Sequence, residues 1–153
     1  MHWLNESEAR AWRGFLSMRT LLSAQIARDL ADDSDLSEPD YTVLSNLSEA
    51  DDHRWRVNEL AARMLWSKSR LSHHIARMQE RGLVTREECA TDGRGAFVVL
   101  TRQGMRAIER AAPSHVVSVR RNLIDLLTPE EIDALAAISQ KVVAHLSLRT
   151  APA

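Results

Sequence analysis

The chain has 153 residues, with 20 Lys and Arg against 21 Asp and Glu, and a formal net charge of −1. That length fits one domain with a moderate core, and the near-neutral balance speaks against a nucleic-acid binder that works by bulk charge alone. One cysteine allows no disulfide within the chain, which favours a reducing cytoplasm. No stretch approaches the roughly 20 apolar residues of a membrane span, and residues 1–13 hold no apolar run of signal-peptide length, so no membrane partner is expected.

Glycine is sparse, so most of the chain reads as helix. A first helix runs from about Glu6 to Leu30, with Trp12, Phe15, Leu16, Leu22, Ile26 and Leu30 at helical spacing. Ser37 can cap a second helix with Pro39 in its first turn, and Tyr41, Leu44 and Leu47 lie on one face of it. The polar segment Asp51 to Arg56 ends that helix. Asn58 can cap a short third helix containing Leu60, Ala61, Met64 and Leu65. Ser67 can cap a fourth, running to Arg81 and stopped by Gly82. Leu83 to Glu88 and Ala96 to Thr101 read as two strands, and Asp92-Gly93 is a turn dipeptide between them. Thr101 opens a long helix to about Leu127, whose apolar residues recur three and four apart as in a coiled-coil seam. Pro113 interrupts this seam and is expected to kink the helix. Thr128-Pro129-Glu130-Glu131 is a capping box with proline at the first helical position. It opens a last helix with Ile132, Leu135, Ile138, Val142 and Leu146 on one stripe.

The expected fold class is therefore mainly α with a small β element: a winged helix-turn-helix between long terminal helices. A single domain over residues 1–153 would carry a DNA-binding lobe at 37–101. Residues 1–36 and 102–153 would serve as dimerisation helices, because their apolar stripes have no obvious partner except a second copy.

Charge is unevenly placed. From Asp29 to Asp52 it is acidic; from Arg63 to Arg86 it is basic apart from Glu80. A phosphate backbone feels such a local field, not the net charge. On the fourth helix Leu71, Ile75 and Met78 fall on one stripe, leaving Ser69, His73, Ala76 and Glu80 pointing away with Arg70 and Arg77 on one flank. Ser67 and Lys68 sit at its N-terminus, where free N–H groups favour a phosphate. Arginine pairs bidentately with guanine, and Ser and His donate to bases or phosphates. Ser67, Lys68, Ser69, Arg70, Ser72, His73, His74 and Arg77 are thus the expected major-groove set. A wing-tip arginine, Arg94, suits a minor groove, with Asp92 supporting the turn.

From Ser37 to Gly104 the chain resembles the MarR (multiple-antibiotic-resistance regulator) family. The resemblance rests on Asn58-Glu59-Leu60-Ala61, Ser67-Lys68-Ser69-Arg70-Leu71-Ser72-His73-His74-Ile75, and Met78-Gln79-Glu80-Arg81-Gly82-Leu83-Val84. It continues in Asp92-Gly93-Arg94-Gly95 and Leu100-Thr101-Arg102-Gln103-Gly104. It implies a dimer built from the terminal helices, a fourth helix in the major groove and a wing in the minor groove. The family's wing aspartate and arginine fall on Asp92 and Arg94; Gly93 stands where many members have arginine. The resemblance also implies a ligand-responsive repressor on a pseudo-palindromic operator. Its small aromatic or anionic effector would lie between the dimer helices and the DNA-binding lobe, with Trp12, Phe15, Arg19 and Tyr41 as wall residues.

The sequence has no glycine-rich phosphate loop, no His-Glu-x-x-His pair and no Cys-x-x-Cys, so no enzyme, metal or cofactor is expected. Two other readings remain: a winged-helix dimer that contacts a protein instead of DNA, and a thiol-based redox sensor acting through Cys89.

Overall fold

The computed structural model describes residues 2–89 and 95–150. The chain forms two compact units, Met1–Ile26 with Val116–Ala153, and Ala27–His115. Each boundary falls inside a long helix. In chain order the helices and strands are α1 (Glu6–Asp33), α2 (Glu38–Glu49), β1 (Arg54–Arg56), α3 (Val57–Met64) and α4 (Lys68–Glu80). After them come β2 (Val84–Glu87), β3 (Phe97–Leu100) and α5 (Arg102–Asn122), then a short 3₁₀ turn at Ile124–Leu126 and finally α6 (Pro129–Thr150).

In the second unit, α2, α3 and α4 pack around one core. Val43, Leu44 and Leu47 from α2, Leu60 from α3, and Leu71, Ile75 and Met78 from α4 are all buried, together with Val84 and Val98 of the sheet. Burying each such side chain contributes about 1.5–3 kcal/mol, so the inner face of α4 is firmly held and its rotation about its own axis is set. The expected lobe at 37–101 lies within this unit. Leu30 and Leu36 before it and Ala107, Ile108 and Ala111 after it join the same core.

The three-stranded antiparallel sheet has the order β1-β3-β2, with Trp55 opposite Val98 and Arg86 opposite Val98 on the other side. The strand β1 is a third strand beside the two expected, formed within Asp51 to Arg56, which by sequence is only the polar segment that ends α2. Its three residues form a strand because β3, more than 40 positions on, supplies the ladder; Arg-Trp-Arg is too short to show a period by itself. The strand also moves the start of α3. Its N-cap position is Arg56, with no side-chain cap, and Asn58 lies inside the helix. The Val57 N–H, at the first helical position, donates instead to Ala96 O at 3.0 Å across to the start of β3.

α3 and α4 end in the same way. After α4 the Gly82 N–H donates to Gln79 O and the Leu83 N–H to Met78 O; after α3 the Leu65 N–H donates to Ala62 O and the Trp66 N–H to Ala61 O. This is the Schellman pattern, whose left-handed residue is usually glycine. Gly82 fits it at φ +74°, but the other position is Leu65 at φ +54°. A left-handed residue with a Cβ costs about 1–2 kcal/mol, and Leu65 is 85% exposed, so its side chain returns little by burial. Leu65→Gly should therefore raise the unfolding free energy by up to about 1 kcal/mol after the entropy lost to glycine's freer unfolded chain. Urea unfolding checks this; a lower midpoint would mean that the leucine makes contacts worth more than its strain.

In the first unit the capping box of α6 is present. The Thr128 N–H donates to Glu131 Oε2 at 2.9 Å, and the Glu131 N–H donates to Thr128 Oγ1 at 3.2 Å. α5 passes through Pro113 and stops at Asn122, short of the expected Leu127. Leu123, at φ −141° and ψ −64°, leaves helical geometry and starts the 3₁₀ turn. Trp3, Leu4, Trp12, Phe15, Met18 and Leu21 near the start of the chain, and Val116, Val117, Ile138, Val142, Val143 and Leu146 toward its end, are exposed.

Candidate nucleic-acid interface

α4 is built to show one face. Its N-cap is Ser67, whose hydroxyl accepts the Arg70 N–H at 3.1 Å. Leu71, His74, Ile75 and Met78 point into the lobe, while Lys68, Ser69, Arg70, His73, Ala76, Arg77 and Glu80 are exposed and Ser72 is half-buried. Two arginines on this face are steered by neighbours. The Arg70 guanidinium lies 3.8 Å from the centre of the Trp66 ring, a stacking contact that holds a planar cation without spending its donors. Arg77 Nη2 lies 3.1 Å from His74 Nδ1.

His74 corrects an expectation. Placed among the DNA-facing residues by sequence, it is only 8% exposed. Its position follows from the helical period, since residues 71, 74, 75 and 78 make one stripe. Its Nε2 sits 2.9 Å from Asp40 Oδ1. Trp66 packs edge-on to it at 5.6 Å.

Asp40, which sequence reasoning left among the acidic run, is the residue these groups share. It is 3% exposed. Its Oδ2 accepts the Ser37 N–H at 2.9 Å, and the Asp40 N–H donates to Ser37 Oγ at 3.2 Å, closing a capping box on α2. The same Oδ2 accepts Arg81 Nη1 at 2.7 Å, while Arg81 Nη2 donates to Asp35 O at 2.6 Å. Burial alone would push the Asp40 carboxyl up; the hydrogen bonds and charge of Arg81 and the bonds from Ser37 outweigh it and hold it below the usual carboxylate range. Burial pushes His74 down, the Asp40 charge opposes this, and Arg77 and Arg81 add to the depression. Both groups therefore support the fold on the alkaline side. The His74 contribution is complete above its free value of 6.5 and is lost as pH falls through its lowered value.

Asp35, Ser37, Asp40, Trp66, Arg70, His74, Arg77 and Arg81 line an open groove of about 500 Å³ between the start of α2 and α4. Arginine outnumbers carboxylate along it.

The base of the wing is braced by stacked cations. The guanidinium of Arg54 is 3.9 Å and that of Arg56 is 4.5 Å from the centre of the Phe97 ring, and Arg54 Nη1 is 3.6 Å from Glu87. Asp92 and Arg94, the expected tip residues, lie outside the described residues, as does the Asp92-Gly93 turn. Cys89 is half-buried just after β2.

Of the expected effector residues, Trp12 and Phe15 stack at 5.8 Å and Arg19 lies 6.0 Å from the Phe15 ring centre, all on α1. Tyr41 belongs to the other unit, packs on its core and stands 4.3 Å from the His115 ring. Among the described residues there is no cluster of metal-ligating side chains, and no helix is long and apolar enough to cross a membrane.

Known proteins share this architecture. A family model described as the MarR family matches residues 34–95. The transcriptional regulator HosA of Escherichia coli is 30% identical over 131 residues, which are 86% of this chain and 95% of that protein. The crystal structure of AbsC, a MarR family transcriptional regulator from Streptomyces coelicolor, is 44% identical, covers 96% of this chain and 99% of its own, and superposes with a TM-score of 0.89. Sco3205, a MarR family transcriptional regulator from the same organism solved in complex with DNA, is 38% identical with a TM-score of 0.89, over 95% of this chain and 91% of that one.

Proposed function

The chain belongs to the MarR family of DNA-binding transcriptional regulators, and on that premise we propose that it acts as a homodimeric, ligand-responsive repressor that holds a pseudo-palindromic operator. The observation that carries the DNA-reading part is α4 itself: an inner face anchored by Leu71, Ile75 and Met78, and an outer face of Lys68, Ser69, Arg70, His73 and Arg77. An exposed helix face of this chemistry, on a relative of a protein solved with DNA, suits the major groove, where arginine distinguishes base pairs. Arg94, which the sequence puts in the turn between β2 and β3, would serve the minor groove, whose donor pattern is degenerate, and so add affinity more than discrimination. In the dimer, the exposed apolar residues of the first unit would meet their copies. Trp12, Phe15 and Arg19, neighbours on α1, are proposed effector-wall residues: aromatic faces with one cation suit a small aromatic anion.

The test is to enrich duplexes from a random pool with the wild-type protein, then titrate variants against an enriched and a scrambled duplex at several salt concentrations. Arg94→Ala should weaken both duplexes alike and reduce the salt slope by about one charge. Replacing the base reader among Arg70, His73 and Arg77 by alanine should cost about 1–3 kcal/mol on the enriched duplex alone. A wild-type protein that enriches no sequence would end this reading.

A further inference from the structure

We infer that Asp40 is a positioning residue for DNA readout: by fixing the tautomer of His74 it makes that ring an acceptor for Arg77 and holds the Arg77 guanidinium on the outer face of α4. This rests on the reading of α4 as the DNA-reading helix. Arginine has donors only, so the Arg77 Nη2 contact with His74 Nδ1 at 3.1 Å requires a lone pair on Nδ1. The single ring proton of neutral His74 then sits on Nε2, the atom 2.9 Å from Asp40 Oδ1. A carboxylate can only accept, so Asp40 selects this tautomer. The carboxylate is itself immobile. Its other oxygen is held by Arg81 Nη1 and the Ser37 N–H. The chain of contacts therefore runs from the start of α2, through the buried ring, to a side chain exposed on α4. Asp40 and His74, the two middle links, are buried, while Arg77 at the far end is exposed.

Asp40→Asn tests this because its geometry is nearly unchanged. Arg81 and Ser37 both donate to the Oδ2 position, so they would claim the amide oxygen and leave the NH₂ facing His74. The ring would then have to accept on Nε2 and carry its proton on Nδ1, where it repels Arg77. Arg81 is well exposed and stays solvated. Three readouts apply to the full chain, with a duplex enriched from a random pool by the wild type and a scrambled duplex as probes. Nitrogen chemical shifts should report the Nε2–H tautomer of His74 in the wild type and the Nδ1–H tautomer in Asp40→Asn. The affinity ratio between enriched and scrambled duplex should fall roughly tenfold, with scrambled affinity and its salt slope unchanged. In an Arg77→Ala background, Asp40→Asn should have no further effect on that ratio, since the two act as one unit. A merely structural role would instead lower both affinities together and add to Arg77→Ala. Should Asp40→Asn prove unstable, His74→Phe removes the acceptor and should give the same ratio, again with no addition to Arg77→Ala. Unchanged selectivity in these variants overturns the inference while leaving the DNA reading intact. Failure of the wild type to enrich any duplex overturns both.

Discussion

Gly104→Ala is expected to destabilise the DNA-binding lobe by about 3 kcal/mol or more. A Cβ at this position would overlap the Leu83 carbonyl oxygen and stand 3.0 Å from its carbon and 2.8 Å from Leu100 Cδ1. The leucine side chain could turn away; the carbonyl cannot. Leu83 O accepts from the Thr101 hydroxyl at 3.0 Å and from the Thr101 N–H at 3.3 Å, and the Leu83 N–H closes the end of α4. Thr101 Oγ1 in turn accepts the Gly104 N–H at 2.9 Å. Displacing Leu83 therefore strains the stop of the reading helix and the start of α5 at once. The check is urea unfolding of the variant with wild-type slope, together with binding to an enriched duplex at a temperature where the variant is still folded. Equal stability would mean that α5 can slide away from Leu83 at little cost, and the close approach would then not matter to the fold.

Gly104 also shows where sequence reasoning reaches its limit. It stood within a family-like stretch, but nothing local says that a backbone carbonyl lies against it. What was legible was what is encoded within a few residues. Ser67 caps α4, Gly82 stops it, the Thr128 box opens α6, and the buried set Leu71, Ile75 and Met78 follows from the helical period. β1 was missed because its partner is distant. Asp40 was missed for a related reason. In the sequence it is one acid among nine between Asp29 and Asp52, and its role comes from Arg81, 41 positions away. His74 is a different case. Its spacing to Leu71 and Met78 places it inside, although a polar ring beside His73 favours the outer face by residue type. A polar residue on an apolar stripe asks for a buried partner, and the acids of the preceding segment were the available ones.

A chain ending before Thr128 should lose both solubility and tight operator binding. The deletion removes α6, and with it Ile138, Val142, Val143 and Leu146, all exposed in the single chain. A monomer rarely tolerates so many exposed apolar side chains, so in the proposed homodimer they are covered by the second copy. Removing α6 leaves Trp12, Phe15, Val116 and Val117 exposed without the partner surface that would bury them. The expected product is an aggregate, or a monomer recovered only at low concentration. The lobe formed by residues 27–115 has its own core, so α4 should still fold there and still contact one half-site. It loses the second half-site, whose contribution in a linked pair is roughly 10²–10⁴-fold in affinity. Light scattering gives the mass of the two proteins, and titration against one-half-site and two-half-site duplexes separates the terms. The truncated chain should bind both duplexes equally weakly, and the full chain should favour the longer one by that factor. A truncated chain that stays monodisperse and keeps the full preference for two half-sites would place the pairing surface outside α6. The apolar stripe of that helix would then need another explanation.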